Sequence, residues 1–271
     1  MVKNDKEIAM IKHLIVIPTY NEKESIGSLL NELKDLQKSM LENCHIQILI
    51  VDDNSPDGTA DYVKKFAKDN VISNVDILKR DKKSGLGSAY KAAIAHALTN
   101  IQFDFLITMD GDGSHQVKDL RKLLEVADHS SNVSLILGSR WIPGGGISNW
   151  SPFRIRLSKA GTRYAKWALK LKINDLTGGF RVYPRNTLEK IDLDQVTSNG
   201  YCYQIEMAFA VDHLNKRDSL KTVEVPIIFI ERENGVSKMS GKIVLEAIWQ
   251  VTKLGAELRM RPNAGKLHYV K

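Results

Sequence analysis

The stretch that most constrains the fold of this chain is residues 103–115, FDFLITMDGDGSH, where an apolar run ends in two carboxylates. The run predicts a short buried strand. Asp110 and Asp112 repel each other unless a hard divalent cation takes oxygens from both, and such an ion keeps open positions for diphosphate oxygens. The sequence therefore predicts a Mg²⁺ or Mn²⁺ site. An ordinary surface turn is the alternative, because Asp and Gly are also common turn residues.

Strand-like and helix-like segments alternate through the first half of the chain. Strands are predicted at residues 13–20, 46–53, 75–79, 103–109 and 133–138, and helices at 21–38, around 62–66, at 87–98 and at 117–127. This alternation predicts an α/β fold with a mostly parallel sheet and right-handed crossovers. Ligands of such sheets bind beyond the carboxyl ends of the strands. That edge would gather residues 18–22, Asp52 with Asp53, and residues 110–112, which favours a metal–diphosphate site over a plain turn.

Other phosphate-binding motifs are weak in this sequence. It has no GxxxxGK[ST] loop, and its GxG, Gly85-Leu86-Gly87, lacks the third glycine and follows the third strand instead of the first. Both glycines are interpreted as loop residues at the start of a helix. A dinucleotide-binding fold is disfavoured.

Length and composition predict one large α/β domain spanning residues 1–271, since the chain has 271 residues and is 43% hydrophobic. Its two cysteines, Cys44 and Cys202, lack metal-ligand spacing and are expected to be buried, reduced thiols in a cytoplasmic protein. No signal-peptide core is recognised at residues 1–12. No run approaches the roughly 18 apolar residues of a membrane-spanning helix, so a peripheral protein is expected.

The net charge of +7 is concentrated in one block. No acidic residue occurs between Asp128 and Asp175, where the cations are Arg140, Arg154, Arg156, Lys159, Arg163, Lys166, Lys170 and Lys172. Such a block implies an anionic partner: nucleic acid, anionic lipid or a phosphorylated substrate.

Residues 153–171 place an apolar stripe beside these cations. The stripe is Phe153, Leu157, Ala160, Tyr164, Trp167 and Leu171. This pattern suggests a helix at a membrane interface, with cations on lipid phosphates and aromatic rings at the headgroup level. A core-packed helix with a solvated charged face remains an equal alternative.

The remaining segments are assigned from local signals. Residues 143–148 are predicted to be a flexible loop, 177–181 a turn before a strand, 201–214 a helix, 223–230 an edge strand, and 232–240 a polar loop suited to closing over phosphates. Glu206, an acid in an apolar helix, is expected to be solvated or paired. The basic tail, residues 259–271, is assigned no structure.

Eight short motifs occur in a fixed order. They are PTYNE (18–22), VDDNSPDGT (51–59), GLGSA (85–89), MDGDGSH (109–115), GSR (138–140), TGGFR (177–181), YQIEM (203–207) and RENGVSKMS (232–240). As a set they resemble the inverting GT-A glycosyltransferases that make dolichyl- or polyprenyl-phosphate mannose, from about residue 13 to 250. The resemblance implies a Rossmann-like nucleotide-sugar-binding domain that transfers mannose from GDP-mannose to a polyprenyl or dolichyl phosphate.

The resemblance also assigns site residues. Nucleotide-sugar contacts would come from Pro18, Tyr20, Glu22, Val51, Asp53, Asp110, Gly111, Asp112, Arg140, Arg232 and Lys238, and metal ligands from Asp110, Asp112 and Ser114. Arg140 and Arg154 would bind the acceptor phosphate, and Asp110, Asp112 and Arg140 would be catalytic. Two departures from the family pattern are Gly111, where alanine is common, and Val117, where proline is frequent. A peripheral enzyme is implied, held at the cytoplasmic face of a membrane by its basic helix or by a small membrane-anchoring partner.

Three alternatives remain. The donor could be UDP-glucose or another nucleotide sugar, because the motifs do not name the sugar. Processive polysaccharide synthases are disfavoured, since their QxxRW motif is replaced by residues 204–207, QIEM. A noncatalytic nucleic-acid-binding protein would account for the basic block but not for the carboxylates at strand ends, so no nucleic-acid partner is expected.

Overall fold

The computed structural model of the chain describes residues 10–40, 44–200, 202–231, 241–260 and 269–271. In these ranges the strands are β1 (Ile11–Thr19), β2 (Cys44–Asp52), β3 (Val75–Lys79), β4 (Phe105–Thr108), β5 (Val133–Ser139), β6 (Gly146–Ser148), β7 (Arg181–Pro184), β8 (Lys221–Pro226) and β9 (Ile228–Ile230). The helices are α1 (Ile26–Met40), α2 (Thr59–Asp69), α3 (Leu86–Asn100), α4 (Val117–His129), α5 (Pro152–Leu169), α6 (Arg185–Lys190), α7 (Cys202–Asp218) and α8 (Gly241–Met260).

Seven strands form the central sheet in the order β3-β2-β1-β4-β7-β5-β8. The pairs β1–β2, β2–β3, β1–β4 and β5–β8 are parallel, whereas β7 is antiparallel to both β4 and β5. The mostly parallel α/β sheet predicted from the sequence is therefore confirmed. The insertion of β7 between β4 and β5 was not foreseen.

The loop after β5 and the chain after β8 form a second, two-stranded sheet. Gly146 pairs with Ile228 and Ser148 pairs with Ile230, in parallel. The prediction of one strand over 223–230 is wrong because the strand ends at Pro226, which has no N–H to extend the hydrogen-bond ladder. The edge position of β8 is confirmed. The predicted loop at 143–148 ends in a strand, and this brings Trp150 to within 5.6 Å of Phe229 between ring centroids.

The core consists of two apolar layers, one on each face of the sheet. Along β1, Leu14 and Val16 face the layer that contains α3, α5, α7 and α8, whereas Ile15 and Ile17 face the layer with α1, α2 and α4. Because helices cover both faces, the central strands are apolar on both sides, and all four of these side chains are fully buried.

Helix α5 buries a different face from the predicted stripe. Its buried residues are Thr162, Ala165, Ala168 and Leu169, while Phe153 and Trp167 are 75% and 68% exposed. Small residues allow close packing on α8, since a Cβ at Gly255 would lie 3.0 Å from the Ala168 carbonyl oxygen. Of the two alternatives for this helix, the core-packed one is therefore wrong for Phe153 and Trp167, and their exposure leaves the membrane-interface alternative open.

The last three residues are docked against the domain, so the assignment of no structure to the tail is wrong for them. Val270 forms an antiparallel bridge with Ile191, and the Tyr269 hydroxyl donates to Glu206 at 2.9 Å. We call residues 269–271 the docked tail. Glu206 is 1% exposed and also accepts from the Thr197 and Ser198 amides at 3.2 and 2.8 Å, so it is paired and not solvated.

Two further predictions concern the cysteines and the membrane. Cys44 and Cys202 are buried and free, as predicted. Among the helices of the described segments, none has the length and apolar character needed to cross a bilayer.

Candidate functional site

A cavity of about 750 Å³ lies beyond the carboxyl ends of β1, β2 and β4. Strand-end residues on its wall are Pro18, Thr19, Tyr20, Glu22, Asp53, Asp110, Gly111, Asp112, Ser114 and His115. The three predicted clusters therefore meet at one edge of the sheet. Asp52 does not line the cavity; it accepts from the Ser55 hydroxyl at 2.6 Å and from the Thr19 hydroxyl at 3.1 Å.

The tip of β4 is a turn whose carboxylates face the cavity. Asp112 Oδ1 accepts from the Ser114 amide at 3.1 Å, and the Asp110 amide donates to His115 Nδ1 at 3.0 Å. The His115 ring stacks on Phe180 with centroids 4.6 Å apart. Burial lowers the pKa of His115 and outweighs the opposing charge of Asp110. A neutral imidazole is consistent with Nδ1 accepting a hydrogen bond. Its role as a support for the Asp110 backbone was missed from the sequence.

The residues at this tip suit a hard divalent cation in their donor chemistry. Asp110 and Asp112 present carboxylate oxygens on the cavity wall, and Ser114 lies beside them. Within the described ranges, no group of three or more His, Cys, Asp or Glu side chains is arranged to hold a metal ion. Two carboxylates leave the remaining coordination positions to a substrate, so the metal assignment of Asp110, Asp112 and Ser114 stays a prediction.

Two cations near the carboxyl ends of β1 and β2, Arg80 and Lys83, were not singled out from the sequence, and Lys83 lines the cavity. Arg80 Nη1 donates to Asp53 at 2.6 Å, and Lys83 Nζ lies 3.8 Å from the Tyr20 ring centroid. Burial raises the pKa of Asp53, although the charge of Arg80 opposes the rise. The cluster of basic residues directly after β3 was the signal that could have identified both cations.

Val51 differs from the other predicted nucleotide contacts. Its side chain is fully buried in the core and does not line the cavity. Much of the VDDNSPDGT motif is structural, because its side chains accept hydrogen bonds from the loop that follows β1. The Glu22 amide donates to the Thr59 hydroxyl at 3.1 Å, and the Lys23 amide donates to Asp57 at 3.2 Å.

Gly85 and Gly87 lie at the start of α3, as predicted. Gly85 has a φ of +94°, and a Cβ at Gly87 would lie 2.8 Å from the Ser198 carbonyl oxygen. The Gly87 amide donates to the Asn199 carbonyl at 2.9 Å. The GxG therefore permits close approach of the 198–199 backbone and is not a dinucleotide fingerprint.

Arg140 is a buried cation held by Asp175. Its Nε and Nη2 donate to the two Asp175 oxygens at 2.7 Å each, and Nη2 also donates to Thr177 at 2.8 Å. Asp175 is fully buried; burial acts to raise its pKa, but Arg140 and the hydrogen bonds it donates lower the pKa overall. Asp175 was missed, although it is the acid that ends the predicted basic block.

Arg154 lies on the same cavity wall in the first turn of α5. It forms an ion pair with Glu231, and its guanidinium lies 3.9 Å from the Trp150 ring centroid. The Arg140 guanidinium lies 5.5 Å from the same ring on the cavity wall. The two arginines predicted to bind an acceptor phosphate therefore share one cavity. Arg232 and Lys238 lie outside the described residues.

The cavity continues as an apolar groove between α5 and α8. Its lining includes Leu157, Ala160, Gly161, Tyr164, Ala247, Ile248 and Val251. A Cβ at Gly161 would have no atom within 4 Å, so the groove is open at that point. The cavity thus joins a carboxylate tip and two arginines to a surface suited to a hydrocarbon chain.

Sequence comparison places the chain among known enzymes. The profile of Glycosyl transferase family 2 matches residues 14–192. The undecaprenyl-phosphate mannosyltransferase of Micrococcus luteus is 43% identical over 246 residues, covering 91% of this chain and 95% of that protein. The chain belongs to glycosyltransferase family 2. The alternative of a noncatalytic nucleic-acid-binding protein is therefore set aside.

This family 2 glycosyltransferase is also similar in sequence to a second enzyme and similar in fold to a solved structure. The polyprenol monophosphomannose synthase of Mycolicibacterium smegmatis is 39% identical over 247 residues, covering 91% of this chain and 88% of that protein. The crystal structure of glucosyl-3-phosphoglycerate synthase from Mycobacterium tuberculosis with Mn²⁺, UDP and glucosyl-3-phosphoglycerate superposes with a TM-score of 0.56 at 13% identity, covering 92% of this chain and 80% of that one. That likeness establishes the GT-A fold.

The two departures from the family pattern leave the carboxylates of this glycosyltransferase in place. A Cβ at Gly111 would lie 3.2 Å from Ile17 Cγ2, so alanine would require only a small adjustment. Val117 is the first residue of α4, a position where proline is also tolerated.

Proposed function

We propose that this enzyme transfers mannose from GDP-mannose to a polyprenyl or dolichyl phosphate, with inversion, to give polyprenyl-phosphate β-D-mannose. The observation that carries the proposal is the continuity of one cavity from the acidic tip of β4, past Arg140 and Arg154, into the apolar groove. A sugar nucleotide and a lipid phosphate require those two ends. The relatives that match nine-tenths of the chain are named for mannose and for a polyprenyl phosphate, which supports the sugar and the acceptor of this proposal.

Asp110, Asp112 and Ser114 would hold Mg²⁺ or Mn²⁺ beside the donor diphosphate. A bound ion would neutralise the diphosphate so that the nucleoside diphosphate can leave. Lys83 and Tyr20 line the neighbouring wall and are suited to the nucleotide. Arg232 and Lys238 are proposed as further donor contacts on the family resemblance alone.

The acceptor needs a positioning site more than a strong base. Its phosphate monoester has a second pKa of about 6 and is largely dianionic at neutral pH. Arg140, fixed by Asp175, and Arg154, stacked on Trp150, supply charge-assisted hydrogen bonds that offset repulsion from the donor. In-line attack by the acceptor oxygen then inverts the configuration at the sugar carbon.

The membrane is proposed as the source of the acceptor. Exposed apolar side chains lie along the two helices that form the groove: Phe153, Trp167, Ile248, Trp249 and Met260. α5 also carries exposed cations, among them Arg156, Lys159 and Arg163. This composition suits the headgroup region of an anionic membrane at the cytoplasmic face. A small membrane-anchoring partner stays a prediction.

One assay tests the proposed function. Purified protein is supplied with Mg²⁺ or Mn²⁺, labelled GDP-mannose or UDP-glucose, and short polyprenyl phosphates, and the lipid product is extracted into organic solvent. We expect transfer from GDP-mannose that stops when EDTA removes the metal. Asp112→Ala should abolish it, whereas Asp69→Ala, an exposed aspartate at the end of α2, should not. Transfer from UDP-glucose alone would overturn the donor assignment, and no transfer from either would overturn the reaction.

A further inference from the structure

Arg154, a cation on the cavity wall, is paired with the carboxylate of Glu231. Both residues line the cavity, and their side chains are 22% and 31% exposed. Backbone contacts hold both residues: the Arg154 amide donates to the Ser151 hydroxyl at 3.3 Å, and the Glu231 amide donates to the Ser148 carbonyl at 3.2 Å. The carboxylate is therefore placed against the guanidinium by the second sheet and the start of α5.

The two arginines of the cavity wall differ in how easily a phosphate could displace the carboxylate that each one binds. Asp175 is fully buried and receives hydrogen bonds from Arg140 and from the Gly178 amide at 3.1 Å, so that pair stays closed. Arg154 and Glu231 are both partly exposed, so solvent reaches this pair and screens its attraction. A phosphate presents guanidinium with the same kind of oxygen pair as a carboxylate. A phosphate entering this cavity must compete with Glu231 for Arg154.

The charge of the acceptor changes during transfer. The acceptor phosphate oxygen bonds to the sugar carbon as the bond from that carbon to the donor phosphate oxygen breaks, and the electron pair leaves with the nucleoside diphosphate. A monoester with a second pKa of about 6 is mostly a dianion, whereas the product is a diester with one negative charge. The attraction of Arg154 for the lipid phosphate falls accordingly, while its attraction for Glu231 is unchanged.

We propose that Glu231 competes with the lipid phosphate for Arg154, yields to the dianionic acceptor, and recovers the guanidinium once the head group has become a diester. Glu231 thereby limits acceptor affinity and favours product release. This inference rests on the proposed function, since it assigns the acceptor phosphate to Arg154.

Glu231→Gln tests the competition because it keeps the shape of the side chain and removes the charge. We expect the acceptor KM to fall by about fivefold, the factor that corresponds to a solvent-screened ion pair of about 1 kcal/mol, with the GDP-mannose KM unchanged. Inhibition by added polyprenyl-phosphate mannose should become stronger. Glu189→Gln is the matched control, since it breaks an exposed glutamate–arginine pair with Arg185 that does not line the cavity. It should leave both KM values unchanged.

Calorimetric titration tests the same competition without any transfer. A short polyprenyl phosphate and its methyl diester should both bind more tightly to Glu231→Gln than to the unaltered protein, and the gain should vanish in the Arg154→Ala background. Unchanged or weaker binding by Glu231→Gln, or a gain that persists without Arg154, would overturn the inference. Because these titrations require no donor, they separate failure of the competition from failure of the proposed reaction.

Discussion

At the scale of single residues, the Arg140–Asp175 pair is the most constrained contact of the site. Both side chains are buried, and Asp175 accepts from three nitrogen atoms of Arg140. Asp175→Asn should cost about 3 to 5 kcal/mol in the free energy of unfolding, because it leaves a buried guanidinium without its counter-charge. It should also reduce transfer. Urea denaturation at neutral pH measures the first effect; equal stability of variant and unaltered protein would contradict it.

The same pair predicts a pH dependence of stability. The folded state lowers the pKa of Asp175 below its ordinary value of 3.8. The stabilisation is therefore complete above that ordinary value and is lost as the pH falls through the lowered pKa. We expect the difference in unfolding free energy between the unaltered protein and Asp175→Asn to be constant near neutral pH and to narrow in strong acid. A difference that widens toward low pH would refute this assignment.

Arg154 and Arg156 lie on the same helix and serve as a test position and its matched control. Arg154 lines the cavity, whereas Arg156 is exposed and does not line it. Arg154→Ala should raise the KM for polyprenyl phosphate by about tenfold or more, since a charge-assisted hydrogen bond is lost, and leave the GDP-mannose KM unchanged. Arg156→Ala should leave both unchanged in detergent solution. Steady-state kinetics with each substrate varied separately provide the measurement.

At the scale of elements, α5 and α8 carry the exposed apolar surface. The double variant Phe153→Ser and Trp249→Ser should weaken binding to anionic vesicles, because these side chains are 75% and 61% exposed next to cations. Val71→Ser removes an 83% exposed apolar side chain at the end of α2 and serves as the control. Liposome flotation should show loss only for the double variant. Equal flotation of all three proteins would count against a membrane role for these helices.

Hydrophobic periodicity predicted the positions of the strands and helices better than it predicted which of their faces are buried. The runs before residues 19, 52 and 108 gave strands whose ends share one edge, because parallel strands end on the same side. In α5, by contrast, periodicity left open whether the bulky residues face the core or a membrane, and the structure buries Ala165 and Ala168 instead. A single helix does not encode which of its sides will meet small residues of a later helix such as α8.

The site shows the same division. Asp53, Asp110 and Asp112 were predictable from their positions at strand ends. Asp175 and Glu231 were not, because each pairs with an arginine that is distant in sequence and only the folded chain brings them together. The sequence could predict which charges occur near the cavity, but not which of them neutralise each other.

At the scale of the whole molecule, hydrogen bonds connect the docked tail to the start of α3. Tyr269 bonds Glu206, Glu206 holds the Thr197 and Ser198 amides, and the neighbouring Asn199 carbonyl receives the Gly87 amide. The extent of the single domain, residues 1–271, stays a proposal. The tail contacts nevertheless indicate that residues 269–271 belong to the packed unit.

Tyr269→Phe tests this connection. Loss of one hydrogen bond to a buried carboxylate should lower the free energy of unfolding by about 1.5 to 3 kcal/mol. Tyr164→Phe, which removes an exposed hydrogen bond to Thr252, should have a smaller effect. Thermal or urea unfolding measures the loss of stability in each variant. A loss in Tyr269→Phe no larger than that in Tyr164→Phe would show that the Tyr269 hydroxyl adds little.

The burial of both cysteines has a practical consequence for testing the proposed membrane contact of this enzyme. Burial raises the pKa of Cys44 and of Cys202 to about 11, so neither thiol is appreciably ionised near neutral pH. Since the chain contains only these two cysteines, a third one introduced at Trp249 would react first with a maleimide fluorophore or a nitroxide. Quenching or spin-relaxation measurements on that label would then test whether α8 enters the lipid, with little background signal.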